Sequence, residues 1–161
     1  MLKPIARALA YVSITIFLVL IFWASLTFAL GTSSPAYVVS SGSMIPTLNV
    51  GDIIIVKDKD SFQTLQVGDI IVFHSPALDG RVIVHRIYSI ATDQYGVAIY
   101  TKGDNNYAPD AWVVRESHYI GKVIFTLPYL GKVTSIIQPP LNYILILFFI
   151  VLIFVAELKR K

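Results

Sequence analysis

The chain has 161 residues, of which 55% are hydrophobic and 14% are charged, and its mean hydropathy is +0.68. This composition excludes an ordinary soluble domain and leaves room for about one domain besides membrane segments. The absence of cysteine excludes disulfides, thiol catalysis and thiolate metal sites. The net charge of +3 arises in the two chain ends, so it predicts no nucleic-acid surface.

The first element in chain order is an uncharged, apolar stretch over residues 8–31. A helix needs about 20 such residues to cross a bilayer, so this stretch predicts a transmembrane helix. Lys3 and Arg7 precede it and indicate a cytoplasmic N-terminal tail. A cleaved secretory signal is the alternative, but the stretch is longer than the usual h-region and no small-x-small site ends it. We therefore expect a retained anchor.

A second uncharged stretch, residues 141–156, follows Pro139 and Pro140 and ends before the basic tail ELKRK. It is short for a transmembrane helix, and a buried helix is the alternative. Two spans would place both tails in the cytoplasm and the middle of the chain outside. The predicted organisation is a cytoplasmic tail (1–7), a transmembrane helix (8–31), an extracytoplasmic β domain (32–138), a second transmembrane helix (139–156) and a basic cytoplasmic tail (157–161).

The middle of the chain has a β pattern. Short runs rich in Val, Ile, Tyr and Phe alternate with Gly, Asp, Asn and Pro, which is typical of an antiparallel sheet. The runs are VGDIIIV, VGDIIVF, RVIVHRIYSI, GVAIYTKGD and GKVIFTLPYLG. The two VGDII copies indicate two strands that each begin with a turn, so Asp52 and Asp69 are predicted turn residues.

The segment SSGSMIPT, residues 40–47, contains a candidate nucleophile. Gly42 permits a tight turn and Pro46 stiffens it, so Ser41 and Ser43 could present two hydroxyls on one side. Serine needs a base and an oxyanion stabiliser to act as a nucleophile, and a purely structural turn is the alternative. The apolar side chains that follow, Met44, Ile45 and Leu48, either rest against lipid or pack under the sheet.

Three histidines are candidates for the base. His74 and His118 lie in polar surroundings and are expected in solvent. His85 lies inside the strand RVIVHRIYSI, where an inward ring requires a hydrogen bond, and both a catalytic and a structural role fit. Asp104 and Asp110, in TKGDNNYAPD, could orient an imidazole, although an Asx turn explains Asp104 as well.

Four segments together resemble type I signal peptidases. They are SGSMIPT, VGDIIIV, VGDIIVF with VIVHRI, and TKGDNNYAPD, which stand in the order of that family. Bacterial members have lysine where VIVHRI has His85, so the chain resembles the endoplasmic-reticulum and archaeal type. The resemblance implies a signal-peptidase-like fold, mostly β, and a membrane-bound serine endopeptidase that removes signal peptides from exported preproteins.

The resemblance also implies the roles of individual residues. Ser43 would be the nucleophile, His85 the base and Asp110 the third member, with Asp104 a further residue important to the site. The Ser43 backbone N–H and the Ser41 hydroxyl would form the oxyanion hole. The alternative from the residues alone is a non-catalytic, two-span scaffold or accessory subunit.

The implied reaction sets expectations for substrates and partners. The enzyme would form an acyl-enzyme and cut after Ala-x-Ala sites, where small side chains stand at the first and third positions before the cut. Its partners would be preprotein signal peptides, the lipid bilayer, and other subunits of a signal peptidase complex or the translocon. We expect no metal and no cofactor. The expected location is an archaeal cell membrane, with the endoplasmic reticulum or a bacterial membrane as alternatives.

Overall fold

A computed structural model describes residues 2–58, 62–77, 80–130 and 141–159. These residues fall into two compact units. One unit lies within Thr27–Lys132 and holds the β-sheet. The other lies within Met1–Leu26 and Val133–Lys161 and is helical.

The helical unit contains most of α1 (Leu2–Leu30) and all of α2 (Leu141–Lys159). The Ile5–Leu30 part of α1 is long and apolar enough to cross a membrane, so a membrane anchor fits this predicted element. The apolar part of α2, Tyr143–Ala156, is shorter than a typical span. Residues 141–156 of the second predicted segment are therefore helical, whereas residues 139 and 140 lie outside the described residues. The crossing of the membrane by this segment stays a prediction.

The sheet unit is a six-stranded antiparallel sheet with the strand order β1-β2-β6-β3-β4-β5. This confirms the predicted antiparallel β domain and the five predicted strand segments. The strand β1 has only three residues and was not predicted, because so short a run carries no alternation. The strands are β1 (Ala36–Val38), β2 (Ile53–Lys57), β3 (Ile70–His74), β4 (Val82–Asp93), β5 (Gly96–Lys102) and β6 (Tyr119–Leu127).

The two VGDII copies form the same turn. Gly51 and Gly68 have φ angles of 90° and 97°, a conformation that favours glycine. In the first turn the Oδ2 of Asp52 accepts the backbone N–H of Asn49 at 2.8 Å. In the second turn the Oδ2 of Asp69 accepts the backbone N–H of Gln66 at 3.0 Å. The structural role predicted for both aspartates is confirmed.

The interior consists of two apolar clusters, one on each side of β3. Ile71, Val72 and Phe73 are all buried, so this strand is covered on both faces, as its uninterrupted apolar sequence requires. Ile71 and Phe73 belong to one cluster, and Val72 belongs to the other. The second cluster also contains Met44 and Leu48, which connects the core to the serine-rich segment.

Candidate active site

The serine-rich segment lies between β1 and β2 and is anchored by its apolar side chains. Met44 and Leu48 are 0% and 1% exposed, and the Leu48 N–H donates to the Met44 carbonyl at 2.9 Å. The interpretation that these two side chains rest against lipid is therefore wrong, because both pack in the core. Ile45, between them, is exposed. The buried side chains fix the turn that carries Ser43.

Ser43, His85 and Asp110 are joined in one line of hydrogen bonds. The Ser43 Oγ lies 3.2 Å from the His85 Nε2, and the His85 Nδ1 lies 2.6 Å from the Asp110 Oδ2. The side chains of His85 and Asp110 are only 8% and 7% exposed. In the tautomer protonated at Nδ1, the ring donates to Asp110 and accepts the hydroxyl proton of Ser43. This arrangement can remove a proton from a serine hydroxyl.

A second hydroxyl lies beside the first. The Ser41 Oγ is 3.3 Å from the Ser43 Oγ. Both serines face one cavity, which His85 and Asp110 also line. The structure thus brings together four of the five residues singled out by sequence.

Asp104, the fifth, contacts other side chains. Its Oδ1 accepts the Arg86 Nε at 2.8 Å, and its Oδ2 accepts the Arg86 Nη2 at 2.7 Å and the Thr47 hydroxyl at 2.6 Å. The hydrogen bonds from Arg86 hold the pKa of Asp104 below its ordinary value, and the same pairing raises the pKa of Arg86. The carboxylate that reaches His85 is that of Asp110, whereas Asp104 joins the strand of His85 to the turn that carries Ser43.

Gly103 packs directly against Ser43 and His85. A Cβ atom at this position would lie 2.7 Å from the Ser43 carbonyl oxygen and 2.9 Å from the His85 Nε2. Such distances exclude any side chain without movement of the site. The next residues hold the same loop in place, because the Asn105 N–H donates to the Ser43 carbonyl at 2.8 Å. The backbone of the loop after β5 therefore covers the turn that carries Ser43.

An open groove runs from the serines between two free strand edges. Among the residues that the structure describes, β1 pairs only with β2, and β4 pairs with β5 only from Arg86 onward, so residues 82–85 have one free edge there. Residues of both edges line one cavity of about 600 Å³. Its lining is largely apolar and includes Val39, Ile54 and Val84. An extended peptide can hydrogen-bond to free strand edges of this kind.

Comparisons with known proteins decide the family. The family model described as "Signal peptidase, peptidase S26" matches residues 8–105. The chain belongs to this signal peptidase family. It is 34% identical to the signal peptidase complex catalytic subunit of Dictyostelium discoideum, over 97% of this chain and 90% of the relative. The corresponding subunit of Eremothecium gossypii is 35% identical, over 73% and 74% of the two chains. That of Schizosaccharomyces pombe is 30% identical, over 76% and 78%.

Membership of this family establishes the class of reaction. The protein is a signal peptidase of the endoplasmic-reticulum type, a serine protease that removes signal peptides. The alternative of a non-catalytic scaffold is set aside, because the relatives are catalytic subunits that match the chain over most of its length.

Sequence reasoning missed several side chains that support the peptidase site. Thr47, Arg86 and Gly103 flank the predicted residues, and each gave only a weak signal as a neighbour within a motif. Thr101 gave none, although it is fully buried and donates to Asp110 at 2.7 Å. Within the described residues, no group of three or more His, Cys, Asp or Glu side chains could hold a metal ion.

Proposed function

We propose that Ser43 is the nucleophile of this signal peptidase, that His85 is its general base and that Asp110 orients the imidazole. The observation that carries this proposal is the line of hydrogen bonds of 3.2 and 2.6 Å through the His85 ring. A buried carboxylate on Nδ1 selects the tautomer that leaves Nε2 free to accept a proton. The same carboxylate stabilises the imidazolium that forms during the reaction.

The reaction then proceeds in two halves. The Ser43 Oγ attacks the scissile carbonyl carbon while His85 takes the hydroxyl proton, and a tetrahedral intermediate forms. His85 next protonates the leaving amine, the C–N bond breaks, and the signal peptide remains as an ester on Ser43. A water molecule then attacks the ester carbonyl carbon while His85 takes one of its protons, and a second tetrahedral intermediate forms. When the bond from this carbon to the Ser43 Oγ breaks, His85 returns the proton to Oγ, so the signal peptide leaves with a free carboxyl end and both side chains are restored.

Ser41 and the Ser43 backbone would stabilise the oxyanion. The Ser41 hydroxyl, 3.3 Å from the nucleophile, stands close enough to donate to the oxygen of a tetrahedral intermediate formed there. The Ser43 N–H belongs to the attacking residue itself and supplies a second donor in this proposal. One such donor commonly contributes about 3 kcal/mol to stabilisation of the transition state.

Asp104 acts as a positioning residue in this scheme. Its carboxylate bonds Arg86, the neighbour of the base, and Thr47, at the end of the nucleophile turn. It therefore ties together the two segments whose separation sets the distance between Ser43 and His85. The importance expected for Asp104 from sequence is explained by this contact, without a proton transfer.

Substrates would bind in the groove as an extended strand between the free edges of β1 and β4. Successive side chains of a strand point to opposite faces, so the first and third residues before the cut face the same wall. The lining is formed by Val39, Ile54 and Val84 among others, which leaves room for small apolar side chains. We propose that this arrangement selects Ala-x-Ala sites.

The proposed topology keeps the domain boundaries predicted from sequence. In this proposal the anchor at 8–31 holds the β domain, residues 32–138, outside the cytoplasm. A second span at 139–156 returns the basic tail, residues 157–161, to the cytoplasm, where residues 1–7 also lie. Ser43 follows the anchor by about a dozen residues of chain, a spacing that suits a substrate whose h-region lies in the same bilayer.

The partners of this chain would be preprotein signal peptides and the bilayer, and the names of its relatives support membership of a signal peptidase complex. Further subunits and the translocon stay predictions. The relatives reported above are eukaryotic and give no support to an archaeal host. The archaeal cell membrane therefore stays a prediction from sequence alone, beside the endoplasmic reticulum and a bacterial membrane.

The experiment that tests the specificity uses one preprotein with a set of side chains at the last and third-last positions of its signal peptide. Ala, Gly and Ser at both positions should be cut by the purified peptidase in detergent, and Leu or Phe at either should lower kcat/KM at least about a hundredfold. A matched substitution at the second-last position should have little effect, because that side chain faces away from the wall. Equal cleavage of the Phe and Ala substrates would overturn the proposed groove.

A further inference from the structure

Thr101 makes two separate contacts with Asp110. Its hydroxyl donates to the Asp110 Oδ2 at 2.7 Å, and its carbonyl accepts the Asp110 N–H at 2.9 Å. The oxygen that receives the hydroxyl is the same one that lies 2.6 Å from the His85 Nδ1. Thr101 therefore fixes both the backbone and the carboxylate of Asp110.

The far end of the loop between these residues is held at Asp110, by the two bonds to Thr101 and by the bond to His85. Thr101 lies on β5, opposite Ile87 of β4, and its side chain is fully buried. The chain then leaves the sheet and returns at Asp110 after residues 105, 107, 108 and 109, which are all exposed. Tyr107 at the tip is fully exposed. A loop of this kind gains its geometry from the contacts that close it.

The burial of Thr101 favours a role for its hydroxyl. The residue is 0% exposed and belongs to the packed interior. A buried hydroxyl lowers stability unless it is hydrogen-bonded, and valine has nearly the same shape without that cost. The single donor of this hydroxyl is directed at the catalytic carboxylate.

We propose that Thr101 is a positioning residue of the catalytic site, which holds the Asp110 carboxylate in the rotamer that accepts the His85 Nδ1–H. Thr101 is not among the residues that line the groove, so it acts only through Asp110. Without its hydroxyl the carboxylate can turn, and the imidazole loses its fixed orientation. This inference rests on the proposed roles of Ser43, His85 and Asp110.

The first test is kinetic and uses the full chain in detergent with a preprotein substrate. Thr101→Val should lower kcat about tenfold, the effect of one hydrogen bond to a charged group, and change KM less than about twofold. Thr101→Ser keeps the hydroxyl and should restore kcat. Thr126→Val is the control for the same substitution in another strand, since Thr126 is a partly buried threonine of β6 that pairs with Ile54 of β2. Equal losses in the two valine variants would overturn the proposal.

The second test is spectroscopic and needs no activity. The proton in the short bond between the His85 Nδ1 and Asp110 should give a far-downfield proton resonance, assigned by its loss in His85→Ala. The signal should persist in Thr101→Ser and Thr126→Val and shift or broaden in Thr101→Val. An unchanged resonance in a folded Thr101→Val would show that the hydroxyl does not orient the carboxylate.

These two readouts separate the inference from the function on which it rests. If Ser43→Ala still cuts the preprotein, the proposed catalytic roles fail, whatever Thr101 does to the resonance. If Ser43→Ala is inactive while Thr101→Val keeps full kcat, the proposed function stands and the inference about Thr101 is wrong.

Discussion

Arg86 and Asp104 are joined by two parallel hydrogen bonds, from Nε to Oδ1 at 2.8 Å and from Nη2 to Oδ2 at 2.7 Å. Arg86 follows the base His85 directly in β4, and Asp104 follows Gly103, which packs on that base. The two-point geometry fixes orientation as well as distance. The ion pair thus couples the strand of the proposed base to the loop that carries the proposed catalytic carboxylate, Asp110.

The first prediction concerns the stability of this pair at low pH. Because Arg86 lowers the pKa of folded Asp104, the pair stabilises the fold above the ordinary carboxyl range, and this contribution is lost as the pH falls through the lowered value. The melting temperature of the wild type should therefore decrease below about pH 4. Asp104→Asn should melt lower at neutral pH and show a flatter decrease.

A matched ion pair at the far end of the same hairpin provides the control. Asp93 accepts two hydrogen bonds from Arg115, which likewise lower its pKa, and it lies far along β4 from His85. Asp93→Asn should make the melting temperature fall less steeply at acid pH, and it should leave kcat unchanged. Loss of activity in Asp93→Asn equal to that in Asp104→Asn would mean that stability alone explains the effect.

The second prediction separates the two carboxylates by activity. Asp110→Asn should lower kcat by about 10³ to 10⁴, because an amide on Nδ1 selects the wrong tautomer of His85. Asp104→Asn should cost only about tenfold, since the lost contact acts through Arg86 and Thr47. The kcat of both variants would be measured on one preprotein, after circular dichroism shows that each is folded. A larger loss in Asp104→Asn than in Asp110→Asn would reverse the assignment.

The third prediction concerns the close contact at Gly103. Gly103→Ala should nearly abolish cleavage, because its Cβ would lie 2.7 to 2.9 Å from atoms of Ser43, Asn106 and His85. Gly96→Ala is the contrasting change, since it strains the backbone at a φ of 98° but meets no atom within 4 Å. It should lower the melting temperature and leave kcat/KM unchanged. Full activity of Gly103→Ala would show that the loop moves freely over the site.

The fourth prediction concerns topology and uses the absence of cysteine from the chain. Single cysteines would be introduced as Lys3→Cys, Tyr107→Cys and Lys161→Cys, in cells or in sealed vesicles of known orientation. A membrane-impermeant maleimide on the extracytoplasmic side should label only the cysteine at position 107, whose native side chain is fully exposed. Labelling at position 161 from that side would mean that residues 139–156 do not cross the membrane. Permeabilised membranes would provide the control for reactivity.

The strands and turns could be predicted because each depends on local chemistry. The five long β segments alternate or are uniformly apolar, and the two Gly-Asp turns repeat the same residues. The strand β1 was missed because three residues carry no period. The residues that line the groove could not be predicted, because they come from β1 and β4, which are not neighbours in the sheet.

The candidate nucleophile and base could be named from motifs, but the acid could not be chosen from spacing. Asp104 and Asp110 stand six residues apart in one loop, and both are compatible with a contact to His85. The choice depends on where the loop rejoins β5. The two hydrogen bonds between Thr101 and Asp110 bring the end of the loop back to β5. They form in the interior of the fold, which the spacing of residues in the sequence does not reveal.

The most direct test of the account is cleavage of a preprotein with an Ala-x-Ala site by the purified full chain in lipid or detergent, with sequencing of the new N-terminus. Wild type should cut once, after the second Ala, and both Ser43→Ala and His85→Ala should lower the rate by about 10³ or more while remaining folded. Cleavage at the same bond by a folded Ser43→Ala or His85→Ala variant at the wild-type rate would contradict the account.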